Sequence, residues 1–420
     1  MKYLFPKDFI WGSATAAYQV EGNNTGSDFW AEEQAEGSPY ADKSGDAIDH
    51  YRLYREDIAL MASLGLKAYR FSIEWARVEP APGQYSRSAI EHYRDMLNAC
   101  YEYGLMPVVA MHHFSSPQWL MRIGGWASPS VPERFSKYCE VVFQELGSLI
   151  PYVLTFNEIN LPVMLRDVFM NNGLVPPVGI DSASWRAPQW RESAARLCGT
   201  TVDNYVTFHM ISDEAKIALL KEAHIQAREA IKRVSPQTRV GLSMALSDVQ
   251  SVPGGENIAE ERWQLYFRKY LSMLEGDDFF GLQNYTREVY GQEGLVRPAP
   301  GAELTQMKYE YYPEALANVI RKVAKDLSIP ILITEHGIGT DDDVRRVNFI
   351  RTALAGLHSC IRDGIAVTGY LHWTTFDNFE WNAGYSMTFG LIAVDRSTQE
   401  RHPKESAHYL GRIAQTNTLE

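Results

Sequence analysis

Apolar positions along this chain alternate between two periods. Tyr51, Tyr54, Ile58, Met61 and Leu64 fall at helical spacing, Gly65 ends the run, and Ala68-Tyr69-Arg70-Phe71-Ser72-Ile73 follows as a short strand. The same order of helix, break and strand recurs. Ile90, Tyr93, Leu97 and Cys100 lead through Gly104 to residues 106–111, and Phe135, Cys139, Val142, Phe143 and Leu146 lead through Gly147 to residues 153–156. Leu316, Val319, Ile320 and Val323 precede residues 330–334, and Phe349, Ala353, Leu354 and Leu357 precede residues 365–371. With further apolar runs at 9–14, 240–245 and 279–283, the pattern predicts eight strands.

Strands of nearly continuous apolar character are buried on both faces, as in a parallel sheet covered by helices. Eight such units without a break in composition predict an α/β fold, one closed (β/α)8 TIM barrel with residues 1–420 as a single catalytic domain. An open dinucleotide-binding sheet would carry a glycine-rich phosphate loop after its first strand, and none is there. The stretch 166–208 holds Gly173, Pro176, Pro177, Gly179 and Pro188 and fits neither period; it reads as a loop insertion over the barrel mouth.

Barrel enzymes keep their chemistry at the carboxyl ends of the strands, so polar residues there are the candidates. Gln19 and Glu21 follow strand one, Arg70 and Glu74 strand two, His112 and His113 strand three, and Asn157 and Glu158 strand four. Tyr285 follows strand six, Glu335 ends strand seven and Trp373 strand eight. A carboxylate at the tip of a buried strand is costly unless it is paired or used. Glu158 and Glu335 both stand so, and two carboxylates are what glycoside hydrolysis needs: a proton for the leaving oxygen and a base or nucleophile for the anomeric carbon. Strands four and seven are expected on opposite sides of the mouth, where long side chains can meet. A separation of about 5–5.5 Å (retaining) and one of about 6.5–9.5 Å (inverting) both stay open.

Asn157 reads as a hydroxyl donor or as an ordinary turn residue. His113 has no partner at metal spacing, which leaves a hydroxyl-binding or a structural role. Trp373, Phe379, Trp381 and Phe389 crowd the last strand and its loop beside Asp377 and Glu380, setting flat apolar faces next to acceptors, as a pyranose requires.

Composition narrows the partners. The 52 acidic and 40 basic residues give a net charge of −12, which argues against nucleic acid and says little about a neutral partner such as a small glycoside or oligosaccharide. No apolar run is long enough to span a membrane. The first apolar residues are interrupted by Pro6, Lys7 and Asp8 before a signal-peptide core is built. Cys100, Cys139, Cys198 and Cys360 lack metal or disulfide spacing and read as free thiols, so the expected location is cytoplasmic. Homo-oligomerisation stays open, because exposed barrel helices can pair in many ways.

Several long motifs follow one another along the chain: residues 9–22 (FIWGSATAAYQVEG), Tyr69 to Trp75 (YRFSIEW), Thr155-Phe156-Asn157-Glu158, Ile333-Thr334-Glu335-His336-Gly337, and Asp377-Asn378-Phe379-Glu380-Trp381 with Gly384-Tyr385 and Phe389-Gly390-Leu391. In that order they resemble glycoside hydrolase family 1, the retaining β-glucosidase and β-galactosidase family, across essentially the whole chain. The resemblance implies Glu158 as general acid/base and Glu335 as nucleophile. It also implies Gln19, His113, Asn157, Glu380 and Trp381 on the sugar hydroxyls, Phe389 in the sugar-binding loop, Trp373 as a platform, and Tyr285 and Arg70 supporting Glu335. It implies no metal or organic cofactor. The reaction expected is hydrolysis of terminal β-glucosides, with β-galactosides and β-fucosides as side substrates. A transglycosidase using the same intermediate and a non-catalytic sugar-binding barrel are the alternatives.

Six positions depart from the family pattern: His336 replaces the usual Asn, Ile159 the usual Pro, Gln283-Asn284-Tyr285 the usual Asn-Tyr-Tyr, Ala245 a frequent Asn, and Thr388 a common Arg. Members acting on 6-phosphosugars carry a Lys in the last loop. Ser386-Met387-Thr388-Phe389 has no cation, so an unphosphorylated sugar is expected.

Overall fold

A computed structural model describes residues 2–170, 188–211 and 213–420. Among these, eight parallel strands close into a barrel: β1 (Ile10–Ala14), β2 (Ala68–Ser72), β3 (Met106–His112), β4 (Tyr152–Phe156), β5 (Arg239–Ala245), β6 (Phe279–Asn284), β7 (Ile331–His336) and β8 (Val367–Trp373). All eight coincide with the apolar runs of the sequence. Each strand pairs with the next in the chain, and β8 pairs with β1, Trp373 opposite Ala14.

The helices after each strand are α1 (His50–Leu64), α2 (Arg87–Glu102), α3 (Val131–Leu146), α4 (Glu214–Val234), α5 (Glu256–Tyr266), α6 (Ala315–Asp326), α7 (Asp343–Arg362) and α8 (Glu405–Thr416). Local chemistry sets their ends. Ser86, Asp213 and Asp342 cap α2, α4 and α7 by accepting backbone N–H groups of the first turn. Gly65 ends α1 at φ 103°, a left-handed conformation open to glycine at little cost.

Two apolar layers follow from the period-2 alternation of the strands. Ile10, Ala68, Val108, Leu154, Phe279 and Leu332 pack together inside the barrel, whereas Tyr69, Phe71, Val109, Met111 and Val153 face the helices. Arg70 shares the inward parity of Ala68, one layer nearer the mouth. The connection from β4 to α4 is long and contains the stretch 166–208; within it, residues 171–187 lie outside the described residues. Phe208, near its end, packs against Phe156 and Trp126.

All four cysteines are buried and unpaired. No helix among the described residues is long and apolar enough to cross a membrane.

Candidate active site

The carboxyl ends of the strands surround one pocket, into which both Glu158 and Glu335 open. Glu335 lies near the end of β7, 2% exposed, with Arg70 Nη1 donating to its Oε1 at 2.5 Å and the Tyr285 hydroxyl donating to its Oε2 at 2.6 Å. Gly337, two residues on, lets this end of β7 lie against β8, since a Cβ there would fall 1.8 Å from the Trp373 carbonyl oxygen. Glu158 leaves β4 at φ 45°, a left-handed backbone held by its N–H donating to Ser243 Oγ at 3.2 Å. Phe114 (φ 70°) and Trp381 (φ 47°) line the same pocket in the same strained region.

The strand order corrects one expectation: β4 and β7 are separated by β5 and β6, three steps around the barrel and not diametrically opposed. Their glutamates share the pocket obliquely.

The two carboxyls differ in their surroundings. Burial pushes the Glu158 pKa well above the usual carboxylate range, and the negative Glu335 nearby pushes it further. Burial raises Glu335 too, but Arg70 and the Tyr285 hydroxyl oppose it. The first proton to leave the pair therefore leaves Glu335, giving one acid and one carboxylate side by side. Arg70 is 0% exposed, and removing one partner of a buried ion pair leaves an uncompensated charge. Arg70→Met is expected to lower stability by about 3–5 kcal/mol and to raise the Glu335 pKa, shifting the acid limb of kcat/KM upward. Denaturant melts and a pH profile check both; an unchanged midpoint would contradict the buried pair.

Asn157 is held from several sides. Its Oδ1 accepts from Arg70 Nη2, from Gln283 Nε2 at 2.6 Å and from Ser243 Oγ at 3.3 Å, while its Nδ2 reaches His113 Nε2 at 3.1 Å. The His113 ring lies nearly parallel to Trp373 (centroids 5.8 Å) and to Trp381 (6.1 Å) and is kept neutral by burial and by Arg70. Gln19, on the short helix Ala17–Glu21, donates to the Phe379 carbonyl at 2.8 Å and to Glu380 Oε2 at 3.2 Å. Burial raises the Glu380 pKa to about 8. Gln19 Oε1, His113 Nδ1 and Gln283 Oε1 are buried without a partner. Unsatisfied polar atoms of this kind, gathered beside indole faces, suit a ligand rich in hydroxyl groups. Phe389 sits one layer behind, in a cluster with Ala14, Ala16 and Trp373 and edge-on to Tyr285 (6.2 Å).

The departures fall in different places. His336 faces away from the pocket, against the Phe349 ring (4.7 Å) and the Tyr370 hydroxyl (2.9 Å), with its pKa lowered to about 3 by burial. Ile159 is buried with its N–H on the Ser243 carbonyl, and Thr388 bonds Gln306. Ala245 lines the pocket, and Gln283 braces Asn157. Sequence reasoning passed over Ser243, which shares the inward parity of Ala245 on β5; it also passed over Glu288 on the short strand Arg287–Gly291, His209 on the single turn Phe208–Met210, and Lys308 and Tyr309 in a loop without a period, all in the pocket wall. No group of three or more His, Cys, Asp or Glu converges as a metal site among the described residues.

Comparison with known proteins agrees with this architecture. The model of "Glycosyl hydrolase family 1" matches residues 1–277 and 256–419. A Beta-glucosidase A of Acetivibrio thermocellus is 30% identical over 466 residues, covering 99% of each chain. Among solved structures, one described as a beta-glycosidase superposes with a TM-score of 0.91 at 48% identity, covering 98% of this chain and 97% of its own. A beta-glycosidase from Pyrococcus horikoshii does so at 0.83 and 30%, covering 100% and 97%. With the family model and the Acetivibrio thermocellus relative both matched along nearly the whole chain, the chain belongs to glycosyl hydrolase family 1.

Proposed function

We propose that this retaining β-glycosidase acts as a single catalytic domain on terminal, unphosphorylated β-linked sugars of small glycosides, β-glucosides first, with β-galactosides and β-fucosides as side substrates. The observation that carries the reading is the buried pair: Glu335, braced by Arg70 and Tyr285, beside Glu158, whose pKa burial and the Glu335 charge raise. A related Beta-glucosidase A and a Thermotoga maritima beta-glucosidase solved with glucoimidazole support glucose as the first sugar to test.

The sugar stands against Trp373, its hydroxyls on the unpartnered atoms of Gln19 and His113 and on Glu380 and Asn157. The Glu335 carboxylate attacks the anomeric carbon while the bond to the leaving oxygen breaks and Glu158 delivers its proton to that oxygen. Esterification removes the negative charge of Glu335. The coulombic push on Glu158 falls with it, so Glu158, now ionised, takes a proton from water as that water attacks the same carbon. Glu335 leaves as a carboxylate, and Arg70 and Tyr285 receive its returning charge. Two inversions give overall retention. Four buried thiols without disulfide partners support a cytoplasmic setting.

The glycone is tested by initial rates on an aryl β-glucoside and its 6-phosphate. A phosphate dianion would meet the cation-free segment 386–389 and the buried carboxyl of Glu380. The plain sugar is expected to be preferred by about 100-fold or more in kcat/KM. Preference for the phosphorylated substrate would overturn the reading.

A further inference from the structure

Beyond Glu158 the pocket wall changes character. Any group on the far side of the leaving oxygen meets Leu161, Met164, Leu246, Val289, Leu295 and Val296, supplied by the helix Leu161–Met170, the exit of β5 and a small sheet of Asp248–Ser251, Arg287–Gly291 and Gly294–Val296. A second hexose would leave its hydroxyls unpaired against such a wall, whereas an aryl or alkyl group would bury apolar area on it.

The polar groups of this outer half are largely satisfied within the protein. Glu288 accepts from Ser247 Oγ at 3.0 Å and from the Tyr290 hydroxyl at 2.6 Å. Both oxygens of Glu310 are taken by Arg287, at 2.8 and 2.7 Å, and that guanidinium lies over the Tyr312 ring at 3.9 Å. Lys308 differs. It lines the same pocket, it is exposed, and no ion pair or hydrogen bond of its ammonium is present among the described residues. Its backbone stands at φ 65°, where a side chain is disfavoured and glycine would be at ease. The turn that holds it is closed by Lys308 N–H on the Thr305 carbonyl (3.0 Å) and by Thr305 N–H on the Tyr309 carbonyl (2.8 Å). Tyr309, the next residue, is buried in the pocket wall close enough to Glu158, Glu288 and Glu380 for their charges, after burial, to raise its pKa. Glu310, the residue after it, joins the turn to the small sheet: its carbonyl accepts from Thr286 Oγ1 at 2.8 Å and its carboxylate from Arg287, which sets the turn beside the apolar wall.

We propose that the outer half of the pocket selects an aglycone that is apolar beside the sugar and carries a carboxylate at its far edge, received by Lys308. The inference rests on the glycosidase reading above and names the second half of its substrate. An unpaired ammonium held in a costly backbone conformation at the rim of an apolar wall has a reason to be there if an anion arrives with the substrate. The charge is wanted at the edge because the wall nearer the sugar offers an anion no counter-charge.

The test uses β-glucosides of 3-(4-hydroxyphenyl)propanoic acid and of its methyl ester, which share a leaving phenol and differ in charge. The readout is the acid-to-ester ratio of kcat/KM for wild type, Lys308→Met and Lys308→Glu, at low and at high salt. Wild type is expected to favour the acid by about threefold at low salt, with the preference fading as salt rises. Lys308→Met should bring the ratio to about one and Lys308→Glu should invert it. A wild-type ratio at or below one, or one ratio shared by all three proteins, overturns the inference while leaving the glycosidase reading intact. For the apolar wall, octyl β-glucoside is expected to exceed cellobiose in kcat/KM by about tenfold; the reverse order also overturns it. Failure of wild type to hydrolyse any of these glucosides would overturn both readings together.

Discussion

Glu335→Gln loses turnover by about 10⁴-fold or more, the largest effect expected of any single substitution in this chain. The amide fills the same space, so Tyr285 and Arg70 stay near their places, but it cannot form the glycosyl ester. Loss of activity alone would also follow from misfolding, which a second variant separates. Glu335→Gly leaves room on the α face of the sugar for a small anion. With a nitrophenyl β-glucoside, azide is expected to attack the anomeric carbon from that face as nitrophenolate departs, giving the α-glycosyl azide. Recovery of that product assigns the nucleophile by its position. A β-azide from this variant, or wild-type rates in Glu335→Gln, would remove Glu335 from the role.

Glu158→Gln carries the second largest effect, and its size depends on the substrate. Proton delivery matters only where the leaving oxygen is basic, so a loss of about 10²–10⁴-fold is expected on alkyl glucosides and cellobiose and a much smaller one on dinitrophenyl glucosides. Added azide should now give the β-glycosyl azide, because the base needed to activate water is missing while the ester on Glu335 still forms. Equal losses on good and poor leaving groups would contradict the assignment. The two glutamates are coupled, and the sign of the coupling can be read directly. Glu335 raises the Glu158 pKa by its negative charge; removing that charge makes the ionised form of Glu158 less unfavourable. The Glu158 pKa is therefore expected to fall in Glu335→Gln, followed by carbon-13 NMR of labelled glutamate. A pKa that rises or stays would mean the carboxyls do not sense one another.

The barrel was legible because strands buried on both faces write themselves as apolar runs, and all eight coincide with β1 to β8. Glu158 and Glu335 stood out for the complementary reason: a charge at the end of such a run needs an explanation. What escaped were relations between strands. The three steps between β4 and β7 follow from the strand order of any (β/α)8 barrel, whereas nothing in the sequence says that His336 turns outward onto Phe349 and so takes no part in the pocket. Gln283 reads as a departure from a motif, yet in three dimensions its amide braces Asn157, a role visible only once β6 lies beside β7 with Gln283 opposite Glu335. Ser243 could have been found, since it has the inward parity of Ala245; Lys308 and Tyr309 could not, because their loop follows no period and its turn is closed by backbone hydrogen bonds.

Retention through an ester on Glu335 is the central claim, and the anomer of the first sugar released tests it most directly. Proton NMR of a β-glucoside digest, recorded before mutarotation, is expected to show β-glucose rising first and α-glucose growing in only as the anomers equilibrate. If α-glucose rises first, water attacks the substrate directly, the two carboxyls act as an inverting pair, and the glycosyl-enzyme mechanism is wrong for this protein.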